Sequence, residues 1–272
     1  MPRPGRVKGR VLTTSDKLLA VLGLFSMQRP EWTVEAAAQE LGLPISTTYR
    51  YFRSLSAAGL IVAFAAGRYV LGPAIIQYDR QTRLLDPLIS TAEPVMQHVA
   101  RHAAMSGVVL LCRLFGDQIM CVHQECHERP PFAVSYERGR PMPIYRGANS
   151  KIILANMPLR RIKSLQAQHG DAMAAAGLGR DWAELKAKLR AFRTIGVAIT
   201  HAELDPGVIG VAAPVFDPAG DVMGSIGLVI SIQHGSAPEL ARATGLVLAG
   251  SREIAAGLAK RASSGPIAHP FA

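Results

Sequence analysis

Apolar residues recur at helical spacing near the start of the chain. Leu18, Leu19, Leu22 and Phe25 follow a capping residue, Thr14 or Ser15, with Asp16 placed to complement the helix dipole. Gln28-Arg29-Pro30-Glu31 ends that helix. Thr33 caps a second, alanine-rich helix over Val34 to Leu41, and Gly42 stops it. Leu43-Pro44 opens a third helix reaching about Ala58, with Gly59 as its C′ residue. Within it Thr48, Tyr51, Phe52 and Leu55 fall at i, i+3, i+4 and i+7, which predicts one buried stripe. The opposite face carries Ser46, Thr47, Tyr49, Arg50 and Arg53, hydroxyls and guanidinium groups suited to phosphates and base edges. Leu60 to Phe64 and Arg68 to Leu71, separated by Ala65-Ala66-Gly67, predict a hairpin. Three helices and a hairpin over residues 13–72 make a winged helix-turn-helix, with Arg68 in the wing.

The pattern then changes. Pro73 to Leu85 predicts a helix solvated along Asp79, Arg80 and Arg83, and Pro87 breaks it ahead of another over Leu88 to His102. Val108 to Phe115 and Gln118 to Gln124 are apolar strands meeting at Gly116-Asp117, a hairpin signal. Phe132 to Ser135 adds a short strand. Helices are expected from about Ala148 to Asn156, Leu159 to Gln168 and Trp182 to Thr194. Val208 to Phe216 and Val222 to Ile232 are two more strands, and a last helix spans about Pro238 to Arg261. Strands flanked by helices predict an α/β (α+β) sheet domain with a ligand cup over residues 87–261, preceded by the helix within 73–86. Residues 1–12 form a flexible basic arm, and 262–272 a loose tail.

Composition narrows the partners. The 272 residues are 49% hydrophobic and 18% charged, which excludes a charge-dominated disordered chain. The net charge of +10 points to nucleic acid, a membrane surface or an anionic ligand. Up to Gly72 there are nine basic and four acidic residues, so the first quarter of the chain carries half the surplus. That places a polyanion at the N-terminal segment. The first apolar run, Leu18 to Phe25, is too short to span a bilayer, and the later ones are interrupted. Three cysteines without a secretion signal argue against a disulfide scaffold and for a cytoplasmic protein with no membrane partner.

Tyr145-Arg146-Gly147-Ala148-Asn149-Ser150-Lys151 enters a helix, whose free N–H groups and dipole favour a carboxylate by about 0.3–1 kcal/mol. Arg146 either faces inward and adds a bidentate bond or is solvated.

Leu41-Gly42-Leu43-Pro44-Ile45-Ser46-Thr47-Thr48-Tyr49-Arg50, with Leu55, Gly59-Leu60 and Tyr69-Val70-Leu71-Gly72, resembles the N-terminal domain of IclR-type bacterial transcription regulators. Ile45 departs from that family's frequent polar residue. The resemblance continues through Gly139-Arg140-Pro141-Met142-Pro143, Lys151-Ile152-Ile153-Leu154-Ala155, Arg193-Thr194-Ile195-Gly196, Glu203-Leu204-Asp205-Pro206-Gly207-Val208 and Ala212-Ala213-Pro214-Val215. It implies a GAF-like effector-binding domain for small, often organic or aromatic, acids. Carried over by position, effector contacts fall on Met142, Ala148, Asn149, Thr200, Val208, Gly210, Gly227 and Val229. Thr200-His201 stands where the family often has Asp-Asp or Asn-Asp. Gly210, Gly227 and Val229 replace polar or thiol side chains found in some members, which is expected to enlarge the cup and favour an aromatic or dicarboxylic acid.

Other chemistry has less support. Cys121, His123, Cys126 and His127 invite a zinc site, with Cys121 and His123 two apart on a strand, but C-x-H-x-x-C-H is not a common zinc spacing. No metal and no cofactor is assigned. No phosphate loop or nucleophile elbow appears, and the resemblance implies that Glu203 with Asp205 belongs to a structural turn. The expected function is a transcriptional regulator, not an enzyme. It binds double-stranded operator DNA as a homodimer or dimer of dimers, under the control of a small organic-acid effector. The alternative is a small-molecule enzyme with a helical assembly domain.

Overall fold

The computed structural model describes residues 13–103 and 107–264, so the expected arm and the end of the tail lie outside the described residues. The chain divides into two compact units between Leu84 and Leu85.

The first unit opens with α1 (Thr14–Leu22). Its cap is Thr13, one residue before the expected pair. Thr13 accepts from the Asp16 N–H while Asp16 bonds back to the Thr13 N–H, a reciprocal capping box. Phe25 lies beyond the helix end, packed on the core from the following turn. Next come α2 (Val34–Leu41), closed by Gly42 at φ +64°, and α3 (Ile45–Ala57). Thr48, Tyr51, Phe52 and Leu55 are the buried residues of α3, as their spacing predicts. Burying Phe52 and Leu55 stabilises the unit by about 1.5–3 kcal/mol each. The wing is β1 (Ile61–Ala65) paired antiparallel with β2 (Arg68–Leu71). Trp32 and Tyr69 exchange two backbone hydrogen bonds of 3.0 and 2.8 Å, which tie the wing to the entry of α2. Tyr69 also meets Phe52 edge to face at 4.9 Å, joining the wing to α3.

Gly72 stands where the wing returns on the end of α3. A Cβ there would lie 2.2 Å from the Gly59 carbonyl oxygen, which is backbone and cannot swing aside. Gly72→Ala is expected to cost about 1–3 kcal/mol by overpacking. Faster amide hydrogen exchange across residues 45–71 would register it; unchanged protection would contradict it.

After α4 (Pro73–Leu85), α5 (Pro87–His102) starts on Asp86, whose carboxylate accepts from the Leu88 and Ile89 N–H groups. The second unit is built on a six-stranded sheet of order β5-β4-β3-β8-β7-β6, antiparallel at every pairing. Its strands are β3 (Gly107–Phe115), β4 (Gln118–Glu125), β5 (Pro141–Pro143), β6 (Ala198–His201), β7 (Val208–Phe216) and β8 (Val222–Ser231). The helices between them are α6 (Ala148–Asn156), α7 (Leu159–Ala175) and α8 (Trp182–Ile195). The last helix, α9 (Ala237–Ser263), runs two residues past the expected Arg261, into the stretch expected to be loose.

Period-two alternation sorts the two faces. Ile226, Leu228 and Ile230 of β8, with Ile209, Val211, Ala213 and Val215 of β7, form one core with α5 and α9. Ser225, Gly227 and Val229 point to the other face, which α6 crosses.

Three expectations need correction. Phe132 to Ser135 is no strand: the Ser135 N–H donates to the Asp205 carboxylate rather than to a ladder. The strand in this region is β5, whose two prolines are tolerated because it lies at the sheet edge. Strand β6, too short to show in the pattern, closes the opposite edge. Helix α7 passes the expected end at Gln168, breaking its helical dihedrals at His169 and resuming to Ala175.

Candidate DNA-contacting helix and effector cleft

On α3, Ser46, Tyr49, Arg50 and Arg53 are exposed and Thr47 is half-buried, opposite the buried stripe. The helix begins at Pro44 without a side-chain cap, so its first N–H groups remain available. Arg50 and Arg53 have no hydrogen-bond or ion-pair partner among the described residues. Arg68 differs: its guanidinium lies 3.3 Å from the Glu31 carboxylate, so the wing arginine must exchange a protein anion for any phosphate.

The second site forms where α6 points its N-terminus at the α6 face of the sheet. Gly147 holds φ +81°, and a Cβ there would fall 2.6 Å from Leu204 and 2.9 Å from Tyr136. The Tyr136 hydroxyl donates to the Arg146 carbonyl at 2.9 Å, and accepts from the Ser150 N–H at 3.2 Å and the Ser150 hydroxyl at 2.7 Å. Burial pushes the Tyr136 phenol far above its ordinary range, so it stays protonated and the clamp holds. The N–H groups of Ala148 and Asn149 are left without an acceptor among the described residues.

A cleft lies in front of these two donors, about 350 Å³ with its open mouth included. Its enclosed part is narrow, with room for little more than a water molecule. Of the expected effector contacts, Ala148, Asn149, Thr200, Val208, Gly210 and Val229 line it. Met142, Arg146 and Gly227 do not. Met142 is buried in the apolar core beside β4. Arg146 reaches out to donate to the Glu203 carbonyl at 2.7 Å. Gly227 is covered by Asn149, and a Cβ on it would meet the Asn149 amide at 2.5–2.6 Å. The space at Gly227 therefore houses Asn149, which accepts from Ser225 at 3.0 Å, and does not enlarge the cup as expected.

Val134, Tyr136, Gly147, Glu203, Leu204 and Asp205 complete the lining. Glu203 accepts from Lys151 Nζ at 2.8 Å through Oε2, and its Oε1 is buried without a partner among the described residues. Asp205 is occupied by Ser135, in keeping with a structural turn. Periodicity could not bring in Tyr136 or Val134, because both sit on an irregular segment. A wider hollow along Ala174, Ala187 and Ala191 is open to solvent and shares no lining residue with the cleft, so no ligand is placed there.

Cys121 and His123 do not face one way. A β-bulge between β3 and β4 pairs Leu111 with His123 but Cys112 with Cys121. Cys121 is thereby buried in the core on the α6 face, while His123 lies on the α5 face. The extra residue in the bulge inverts the alternation that spacing implied. Burial also raises the Cys112 thiol far above its usual range, leaving it inert beside Cys121.

A winged helix-turn-helix followed by a sheet domain with a donor-lined cleft defines a ligand-responsive DNA-binding regulator. The chain belongs to the IclR family: residues 85–256 match the bacterial transcriptional regulator IclR C-terminal domain, and 14–63 the IclR helix-turn-helix domain. It is similar to the HTH-type transcriptional regulator KipR of Bacillus subtilis, 25% identical over 216 residues, covering 79% of this chain and 84% of that one. Its fold resembles the IclR transcriptional regulator of Alicyclobacillus acidocaldarius, with a TM-score of 0.72 at 22% identity, covering 92% of this chain and 100% of that one. It also resembles an IclR homolog of Microbacterium hydrocarbonoxydans complexed with 4-hydroxybenzoate, with a TM-score of 0.71 at 18% identity and the same coverage. The family is non-enzymatic, so the enzyme alternative falls. Among the described residues no helix is long and apolar enough to cross a membrane.

Proposed function

We propose that the chain is a cytoplasmic regulator whose effector is a hydroxylated aromatic acid. The observation that carries this is the polarity of the cleft. Two free N–H groups at the start of α6 suit a carboxylate, and the unpartnered Oε1 of Glu203 suits a hydrogen-bond donor. A dicarboxylate, the other class the sequence suggested, would set a second anion against Glu203. The 4-hydroxybenzoate named for the Microbacterium homolog has both groups. Because the enclosed space is narrow, such a ligand must widen the cleft, and that movement is the differential contact through which binding alters operator affinity.

Ser46, Thr47, Tyr49, Arg50 and Arg53 face the major groove in this proposal, with Arg68 at the backbone. Two copies dock on a pseudo-palindrome. Leu19 and Ile76, 61% and 74% exposed, are apolar surface that a homodimer or a dimer of dimers would cover.

Thermal shift of the full chain tests the effector class. 4-Hydroxybenzoate is expected to raise Tm most, benzoate less, and terephthalate and glyoxylate least. Glyoxylate or terephthalate ranking first would overturn the assignment.

A further inference from the structure

One polar cluster of the second unit lies away from the effector cleft. His123 and Glu125 alternate along β4, so both project from the α5 face of the sheet, and Glu93 of α5 projects toward them. Their ligand atoms all lie within 4.8 Å of one another. His123 Nε2 is 2.8 Å from Glu125 Oε1, and the two side chains are only 16% and 22% exposed. Among the described residues neither glutamate has a lysine or arginine partner. The imidazole is thus bonded to one carboxylate and has a second within 4.8 Å, in a chain whose net charge is +10 and where cations are plentiful.

We infer that Glu93, His123 and Glu125 bind one divalent transition-metal ion. An imidazole nitrogen with two carboxylate oxygens is a ligand set of the zinc class, whereas calcium and magnesium take oxygen alone. Ligands about 2.0–2.2 Å from a tetrahedral ion sit roughly 3.3 Å apart. The spread of 4.8 Å therefore closes by side-chain rotation, without moving α5 or β4. The ion takes the place of the proton that His123 and Glu125 share, and three protein ligands leave one position for water. It ties the middle of α5 to the end of β4. Unlike the C-x-H-x-x-C-H cluster, the set excludes both cysteines: Cys121 is on the opposite face and Cys126 lies beyond the strand.

The test uses the full chain purified without a histidine tag and stripped with chelator. Titration calorimetry with zinc is expected to show one ion per chain, and zinc to raise Tm. His123→Gln and Glu125→Gln are each expected to weaken binding at least tenfold while leaving the far-ultraviolet circular dichroism unchanged. His98→Gln removes a histidine outside the cluster, stacked on His102 one turn on, and is expected to leave binding intact. Cobalt is expected to give weak visible bands without a thiolate charge-transfer band. Absence of zinc binding at tens of micromolar, loss of binding in His98→Gln, unchanged binding in His123→Gln, or a thiolate band with cobalt would each overturn the assignment.

Discussion

Glu203→Ala is expected to destabilise the second unit by about 3–5 kcal/mol, the cost of leaving a buried charge without its partner. The partner is Lys151, whose side chain is 9% exposed and whose ammonium, among the described residues, bonds only the Glu203 carboxylate and the Ala176 carbonyl, at 2.8 and 2.7 Å. Truncation leaves that ammonium one carbonyl, and neutralising it costs free energy as well. Denaturant unfolding of wild type and variant measures the loss. Lys151→Met combined with Glu203→Ala is expected to recover part of it, because the pair is replaced by apolar volume. A loss under about 1 kcal/mol would mean that the pair is solvated and behaves as a surface bridge.

Arg50→Ala is expected to weaken operator binding by about 1–3 kcal/mol, roughly fivefold to 150-fold, with little change in stability. The separation of the two effects follows from position. Arg50 is exposed on the face of α3 opposite Phe52 and Leu55 and bonds nothing among the described residues, so its loss removes no core contact. The test is fluorescence anisotropy at one fixed salt concentration, on an operator selected from random duplexes with the wild-type chain. A repeat at several salt concentrations separates roles: a phosphate contact lowers the salt slope by about one, and a base contact leaves it nearly unchanged. Wild-type affinity in the variant would remove Arg50 from the interface.

The first unit was nearly complete in the sequence. Its helices are short, amphipathic and punctuated by Gly42, Pro44 and Gly59, and its hairpin follows directly, so local signals agree with packing. In the second unit the long strands and helices were legible for the same reason. The short edge strands were not. β5 reads against strand because of Pro141 and Pro143, and β6 has only four residues. Both exist because a neighbouring strand offers its free edge.

The candidate sites divide the same way. The polar face of α3 is legible because a helix presents its residues in a known order. The effector cleft is not, because its walls come from three regions distant in the chain: the Val134–Tyr136 stretch, the start of α6, and β6 to β8. Spacing within one element cannot report that Arg146 turns to the Glu203 carbonyl or that Asn149 fills the space over Gly227. Nor can it foresee the bulge that sends Cys121 and His123 to opposite faces. The sequence by itself determined the class of protein, the polar face of α3 and the basic surplus of the first unit, since these rest on periodicity and charge, which are properties of order along the chain. Tertiary structure alone decided the shape and polarity of the cleft and the grouping of Glu93 with His123 and Glu125. Those depend on side-chain direction and on elements far apart in sequence meeting across a sheet.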